Sequence, residues 1–512
     1  MNTYSTTKNY DSEFCGSIPL NFINLIQPHG MMMVVNKEME IIQLSENVEQ
    51  LLGISPEQIV GKKFNSILKE EDLEGFEQKI QRRKTYDNVP HVLHLKGTEE
   101  TLRFTVVIHF HEQYFLLELE PLKEVTSDIT FISAYQDIKN IIAILQQSKG
   151  LKEFGKLAAE EIRSYSGFDR VMIYKFDEQW NGSVIAEAQD GSLESYLDLK
   201  FPASDIPKQA RQLYFKTPYR IIPDVNFTPV KLYPIVNSIT KGFTDISDCT
   251  LRSVPPVHIE YLNNMKVHAS MSTPIIVDGK LWGLISCHHN TPKHVPFETR
   301  YAFEVLSGLI SSQLASHERE ERLLHMSKRR ELELDLIDLV HKGKELNSSI
   351  FTNSDTILDL FGAGGIAMVL GNDYHHRGEV PSEKQTQELV KWLRIFNKDK
   401  VFATRSLVAH LKVAEAYKNI GSGLLAIQFS HSPLGFLLLF RPEIVHTVKW
   451  GGNPNDAINF EDDKQKYHPR NSFKQWQEKV EFTSMPWEEE LIGVSKTLRT
   501  VMLEKMLIDL QE

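Results

Sequence analysis

The chain has 512 residues, and at about 150 residues per domain that length implies three or four domains, each able to bury its own core. Hydrophobic residues at 41% and charged residues at 24% are near the globular average, which excludes general disorder and fibrous repeats. Lys plus Arg at 57 against Asp plus Glu at 68 gives a net charge of -11, with no basic surplus to neutralise nucleic-acid phosphates.

Residues 1–18 read as a polar N-terminal arm carrying Cys15, without the basic start and apolar core of a signal peptide. From 19 to 122 the runs MMMVVN, EIIQLS, HVLHL, LRFTVVIHF and YFLLELEPL alternate as strands around a helix-like SPEQIVGKKFNSIL, which describes one small α/β domain. The polar KEVTSDIT links it to a second domain at 131–315. That domain opens with two helical patterns and continues through the strands RVMIYKF and GSVIAEA. It closes with two apolar runs joined by Asp278-Gly279, a hairpin signal. Residues 298–346 contain no Pro and predict a long connecting helix with a highly charged middle, suited to crossing solvent or lining a partner. A third domain spans 325–490, with GGIAMVL, VFATRSL, GLLAIQF and GFLLLFRPEIV as strands. Its segment 446–485 is a long excursion poor in aliphatic residues, and such loops are usually functional. Residues 488–512 form a final helix, either a coiled-coil start or a helix packed on its own domain. The fold class is therefore mixed α+β: antiparallel sheets flanked by helices, joined by a long helix.

The three cysteines, Cys15, Cys249 and Cys287, are too few and scattered for a disulfide framework or a four-thiolate zinc site. No stretch approaches about 18 consecutive apolar residues, so a cytoplasmic protein without membrane or nucleic-acid partners is expected. No phosphate loop, zinc-protease or nucleophile-elbow motif occurs. Gly362-Ala363-Gly364-Gly365 reads as a turn. Cys287-His288-His289 cannot converge on one metal, because successive strand residues point to opposite faces, and no metal site is expected.

The run Phe201-Pro202-Ala203-Ser204-Asp205-Ile206-Pro207 stands out. Alone it could be a turn capping a helix at Ser204 or Asp205. The same domain adds Tyr214, Arg220, the stretch Arg252 to Met265, Ser270, Ser272, and Trp282 to His289. Two arginines, several histidines and several hydroxyls suit a ligand with carboxylates and a polarisable, partly buried body.

These pieces resemble, in order and spacing, the photosensory core of the bacteriophytochromes over nearly the whole chain. The matching motifs are Cys15 on the arm, Ile26-Gln27-Pro28-His29-Gly30, the Phe201–Pro207 run, Arg252 to Met265, Trp450-Gly451-Gly452, and Pro469-Arg470-Asn471-Ser472-Phe473. The resemblance implies a PAS domain at 19–122, a chromophore-binding GAF domain at 131–315, and a PHY domain at 325–490 whose 446–485 segment is the tongue. It implies biliverdin IXα, a linear tetrapyrrole, joined to Cys15 by a thioether; Val257 stands where relatives using reduced bilins carry a cysteine. Asp205 and His258 would serve the ring nitrogens, with Ile206 and Pro207 beside them. Arg220, Arg252, Tyr214, Ser270 and Ser272 would serve the propionates, and His288 the D-ring carbonyl. Tyr174, Phe201 and Tyr261 would wall the D ring. At Val254 and Pro255 the family pattern has hydroxyl residues, so propionate binding must differ there. In the tongue, Arg470 would pair with Asp205 in the dark, Ser472 would replace it after photoconversion, and Trp450 marks the segment's start.

The implied function is a red/far-red photoreceptor, not itself an enzyme within these residues. It would act as a parallel homodimer signalling to a histidine kinase or another output module with a response regulator. A GAF-type sensor of a diffusible small molecule is the rival, but it has no evident use for the arm cysteine or the tongue.

Overall fold

The computed structural model describes residues 23–82, 90–122, 131–342, 344–352, 354–396, 399–454, 458–460, 467–469 and 472–509; Cys15 and Arg470 lie outside them. The chain divides into two compact units, Met1–His317 with Lys449–Trp476, and Glu318–Val448 with Gln477–Glu512. The architecture is mixed α and β, with antiparallel sheets flanked by helices.

Two sheets build the first unit. One runs in the order Leu25–Ile26, Val230–Tyr233, Ile41–Ser45, Met31–Asn36, Tyr114–Pro121, Thr101–Phe110, His91–Lys96. The unbroken apolar run from Met31 to Val35 is explained by burial on both faces: Met31, Met33 and Val35 enter one core with Phe76 and Phe104, while Met32 and Val34 enter another with Leu232 and Leu251. Strand Val230–Tyr233 comes from the middle of the second sequence domain, and no local pattern predicts its place here. Residues 25–27 are held on both edges. Leu25 and Ile26 pair with Lys231 and Val230, Ile26 also bridges Arg252, and the Gln27 amide donates to the Leu251 carbonyl at 2.8 Å. The fully buried Gln27 side chain donates in turn from Nε2 to the Ile221 carbonyl at 3.0 Å.

The other sheet runs Arg220–Ile222, Ala269–Val277, Lys280–His289, Arg170–Phe176, Gly182–Gln189, Lys200–Phe201, His446–Gly451, Gln475–Val480. The predicted hairpin turn is present, with Asp278 and Gly279 both left-handed at φ 49° and 74° as such a turn requires. Alternation divides the faces. Val171, Ile173, Ile285 and Cys287 pack under helices Phe131–Leu145 and Leu151–Ser166 and the start of the long helix, whereas Met172, Tyr174 and Leu284 face the opposite way. Among Cys287-His288-His289, Cys287 enters the core, His288 points to the opposite face, and His289 pairs with Asp169 at 2.6 Å.

The long helix is Phe297–Lys342, 46 residues, and so ends before the expected 346; a separate helix occupies Leu346–Thr352. In the second unit a sheet ordered Asp373–Gly378, Gly365–Leu370, Leu434–Arg441, Gly423–His431, Val401–Thr404 packs against the helix Glu489–Asp509. Leu491, Val494, Leu498 and Val501 are buried on that unit's own core, which settles the last helix as packed. Lys505, which interrupts the apolar spacing, is buried against Asp509 at 2.9 Å and the Lys344 carbonyl at 3.2 Å.

A buried ion pair ties the first sheet of this unit to the start of the long helix that packs on the second. Arg300 donates to both oxygens of Glu120 at 2.8 and 2.5 Å, and its guanidinium also lies over the Tyr219 ring. Burial by itself would raise the Glu120 carboxyl, but the charge and hydrogen bonding of Arg300 together with the neighbouring His29 outweigh it and hold the carboxyl below its ordinary value. Arg300→Met leaves that carboxylate buried without compensation and should cost about 3–5 kcal/mol of unfolding free energy in denaturant titration. A loss below about 1 kcal/mol would show that the pair does not fasten the sheet to the helix.

Candidate functional site

The face of the second sheet opposite its helices forms one wall of a cavity of about 230 Å³. All thirteen residues singled out in the sequence as ligand contacts lie on it: Tyr174, Phe201, Asp205, Ile206, Pro207, Tyr214, Arg220, Arg252, His258, Tyr261, Ser270, Ser272 and His288. Register explains the convergence. Arg220 pairs with Ser272, Ser272 with Ser286, and Ser270 with His288, so alternate positions on three adjacent strands deliver an arginine, hydroxyls and an imidazole to one side.

The Asp205 turn departs from the capping reading. Ala203–Asp205 make one 3-10 turn, and the following helix, Lys208–Leu213, starts after Pro207. Two prolines prevent a continuous helix here because each fixes φ and removes an amide donor. The Asp205 carboxylate accepts a hydrogen bond from Tyr261 Oη at 2.9 Å. Arg211, itself buried, clamps the turn by donating to the Ile206 carbonyl at 2.6 Å. His258 and Tyr261 share the helix Pro256–Asn264, three residues apart on one face, with their rings stacked 13° from parallel.

The cavity concentrates buried cations. Arg220 donates to the main-chain carbonyls of Thr250 at 3.0 Å and Ser253 at 2.9 Å, not to a carboxylate. Burial, with the neighbouring Arg252 charge, lowers its affinity for its proton to about 9, still above neutrality. Burial also lowers Arg252 and raises the Tyr214 phenol, whose Oη lies 2.8 Å from Ser272 Oγ. The histidines shift the same way: burial first and Arg220 second bring His258 down to about 4, and burial with Arg170 takes His288 well below its ordinary value. Both imidazoles are neutral at pH 7. His288 accepts from Arg170 at 2.8 Å, and its other ring nitrogen lies 3.2 Å from Ser286 Oγ.

Two buried hydroxyls on the wall, Ser204 Oγ and Ser253 Oγ, have no hydrogen-bond partner among the described residues. A cavity with two buried guanidiniums, orphaned hydroxyls, neutral imidazoles and an aromatic side fits an elongated apolar body with anionic arms.

Three family models match the chain: "PAS fold" at residues 15–122, "GAF domain" at 151–317 and "Phytochrome region" at 329–511. The phytochrome-like protein Cph1 of Synechocystis is 36% identical over 97% of this chain and 67% of its own length. A bacteriophytochrome of Xanthomonas campestris is 31% identical over 98% of this chain and 80% of its own. The chain belongs to the phytochromes. A bacteriophytochrome crystal structure from R. palustris superposes with a TM-score of 0.82 at 33% identity, covering 96% of this chain and 99% of that one. The photosensory core module of the Stigmatella aurantiaca phytochrome gives 0.81, also at 33% identity, covering 98% and 99%. Cyanobacterial phytochrome B of Nostoc is 36% identical, and this chain spans 66% of its length, so the chain corresponds to about two thirds of such relatives.

In this phytochrome the segment Lys449–Trp476 belongs to the first unit. Trp450 pairs in parallel with Lys200, whose ammonium lies 5.6 Å from the Trp450 ring centre. A Cβ on Gly451 would come within 2.7 Å of the Phe201 ring, so only glycine lets the backbone pass that wall. Pro469 lines the cavity, His468 sits 2.9 Å from Glu260, and the buried Phe473 meets Tyr261 edge-on at 5.0 Å. Ser472 is exposed. Strands Ile458–Phe460 and Tyr467–Pro469 pair as a hairpin.

Sequence reasoning missed Arg170, Arg211, Tyr196 and Ser253. Arg170 is fully buried, packs over Tyr196 at 4.2 Å, and orients His288. Its signal was available, since a charged residue opening an apolar strand needs a partner inside.

The lowered His258 value gives a pH signature in the ligand-free phytochrome. Between pH 6.5 and about 4 the unfolded chain takes up a proton that the folded chain refuses, so stability falls as pH falls through that window. His258→Gln should remove up to about 3 kcal/mol of this decline, read as the difference in unfolding free energy between pH 7 and pH 4.5. An unchanged difference would mean that the imidazole is already solvated.

Proposed function

We propose that the chain is a red/far-red photoreceptor that carries biliverdin IXα in this cavity, linked as a thioether to Cys15. The observation that carries the reading is the pair of buried arginines beside an aromatic cavity, because two fixed guanidiniums suit a ligand with two carboxylates. When bound, a linear tetrapyrrole supplies visible absorption and photoisomerisation of the bridge between its rings C and D.

The chain's residues divide the remaining work. Arg220 and Arg252 hold the two propionates, assisted by Tyr214, Ser270 and Ser272, and the orphaned Ser253 hydroxyl supplies a donor where Val254 and Pro255 offer none. Asp205 and the neutral His258 accept and relay hydrogen bonds for the pyrrole nitrogens, with Ile206 and Pro207 shaping the turn. His288 meets the D-ring carbonyl, and Tyr174, Phe201 and Tyr261 define the space in which that ring turns. A Cβ at Gly182 would fall 1.7 Å from the Tyr174 ring, so this glycine keeps that wall in place. The absence of a cysteine at Val257 favours biliverdin over reduced bilins.

The tongue couples ligand to output. Its hairpin, with Trp450 as anchor and Arg470 on Asp205, is one arrangement; refolding, with Ser472 taking the place of Arg470, is the other. Few buried aliphatic contacts within the segment keep the two within a few kcal/mol. The long helix exposes Leu323, Leu324, Met326 and Leu334, a face suited to a second copy in a parallel dimer, which would pass the change to a histidine kinase or another output module acting on a response regulator. No described helix is long and apolar enough to cross a membrane.

Co-expression with a biliverdin source should give a coloured protein whose spectrum changes under red light; a colourless product would sink the reading. Cys15→Ser should abolish zinc-dependent fluorescence of the adduct in a denaturing gel. Asp205→Ala should keep the colour but impair photoconversion, and normal cycling in that variant would remove Asp205 from its role.

A further inference from the structure

The arginines of the cavity rest on a segment that is itself held from the N-terminal sheet. His109 and Glu118 lie on adjacent strands, Thr101–Phe110 and Tyr114–Pro121, with Val107 opposite Glu118, which makes the two side chains diagonal neighbours on one face. That face is apolar, and both residues are deeply buried, at 7% and 3% exposure. Such a pair persists only if its polar atoms are satisfied. His109 Nε2 lies 2.7 Å from Glu118 Oε2. The other oxygen, Oε1, accepts from the Leu251 amide at 2.6 Å and from Thr250 Oγ1 at 3.2 Å. The Thr250 carbonyl then accepts from Arg220 at 3.0 Å, and Arg252 follows one residue after Leu251.

Cys249 completes this buried group, whose potential ligand atoms lie within 4.8 Å of one another. Both Glu118 oxygens are already taken by donors, and burial pushes the Cys249 thiol well up, so the group works as a hydrogen-bonded clamp rather than a cation site.

We propose that His109 and Glu118 are positioning residues for Arg220 and Arg252: by fixing residues 250–251 they aim both guanidiniums into the cavity and so set its selectivity for a dicarboxylate ligand. The proposal rests on the reading that the cavity takes a tetrapyrrole with two propionates. Glu118 also acts through space, since its charge favours the protonated form of both arginines against the desolvation that opposes it.

The test compares biliverdin with its dimethyl ester, which keeps the ring system and loses both carboxylates. Reversible binding is measured by absorption titration of the full chain in a Cys15→Ser background. The parent should prefer the diacid. Glu118→Ala should lower the diacid-to-ester affinity ratio about tenfold by weakening the diacid alone, the size expected for loss of charge-assisted hydrogen bonds. Glu118→Gln, which keeps an acceptor opposite the Leu251 amide, should restore most of the ratio. If Glu118→Ala does not fold, Thr250→Val removes one donor to Glu118 at nearly constant volume and should lower the same ratio about threefold. Equal weakening of both ligands, or an unchanged ratio in a folded variant, overturns the positioning role while leaving the photoreceptor reading intact. If the parent binds neither compound, that reading fails and the proposal falls with it.

Discussion

Residues 25–27 are hydrogen-bonded along both edges by one later excursion of the chain, the strand Val230–Tyr233 on one side and residues 251–253 on the other. Everything that aims at the cavity depends on this grip. The segment carrying Arg252 and Ser253 has no regular structure of its own, and its backbone groups are satisfied by Leu25, Gln27 and Glu118. Gln27 reaches across to Ile221, beside Arg220, with its side-chain amide. A binding site built on loops acquires the rigidity of strands when the loops are themselves paired to strands. The ordering entropy of the irregular 234–255 stretch is thereby offset through contacts far away in sequence, not by local structure.

That dependence explains what was legible in the sequence and what was not. The alternation in RVMIYKF and KLWGLISCHH reports which side chains share a face, whereas Tyr174 and His288 were named from the resemblance and the structure brings both to the cavity. Asp278-Gly279 reports its turn because two consecutive left-handed residues have few sequence solutions. The pairing of Leu25 with Lys231 leaves no local trace, since a two-residue strand has no period to detect. The Asp205 turn was ambiguous for a related reason. Asp before a helix is ordinarily a cap, and only the three-dimensional position of Tyr261 shows that its carboxylate also has a partner across the cavity. The positions of Cys15 and Arg470, which the resemblance singled out, fall outside the described residues and are argued from sequence alone.

The segment 449–476 follows a different logic from the rest of the first unit. Among the described residues its contacts with that unit include a parallel bridge at Trp450, an ion pair at His468, an aromatic edge at Phe473, and a glycine against Phe201. His468 and Glu260 are about half exposed, so their attraction is screened and adds little. The 25–27 grip, by contrast, is backbone pairing along both edges, with Ile26 and Gln27 fully buried.

Electrostatics follows the same division between what a chain totals and where it places it. The net charge of -11 speaks for an acidic surface and against nucleic acid, yet the cavity is lined by Arg220 and Arg252, with the buried Arg170 behind His288. Burying these charges raises the energy of the empty site, as the fall in proton affinity of all three arginines indicates, and the Arg252 charge adds to it at Arg220. An anionic ligand relieves that cost when it enters, so part of its binding free energy is stored in the fold beforehand. Placing Glu118 behind the wall, not on it, keeps the arginines charged while leaving their cavity-facing side open. A carboxylate on the wall itself would have satisfied the arginines and closed the site to the ligand.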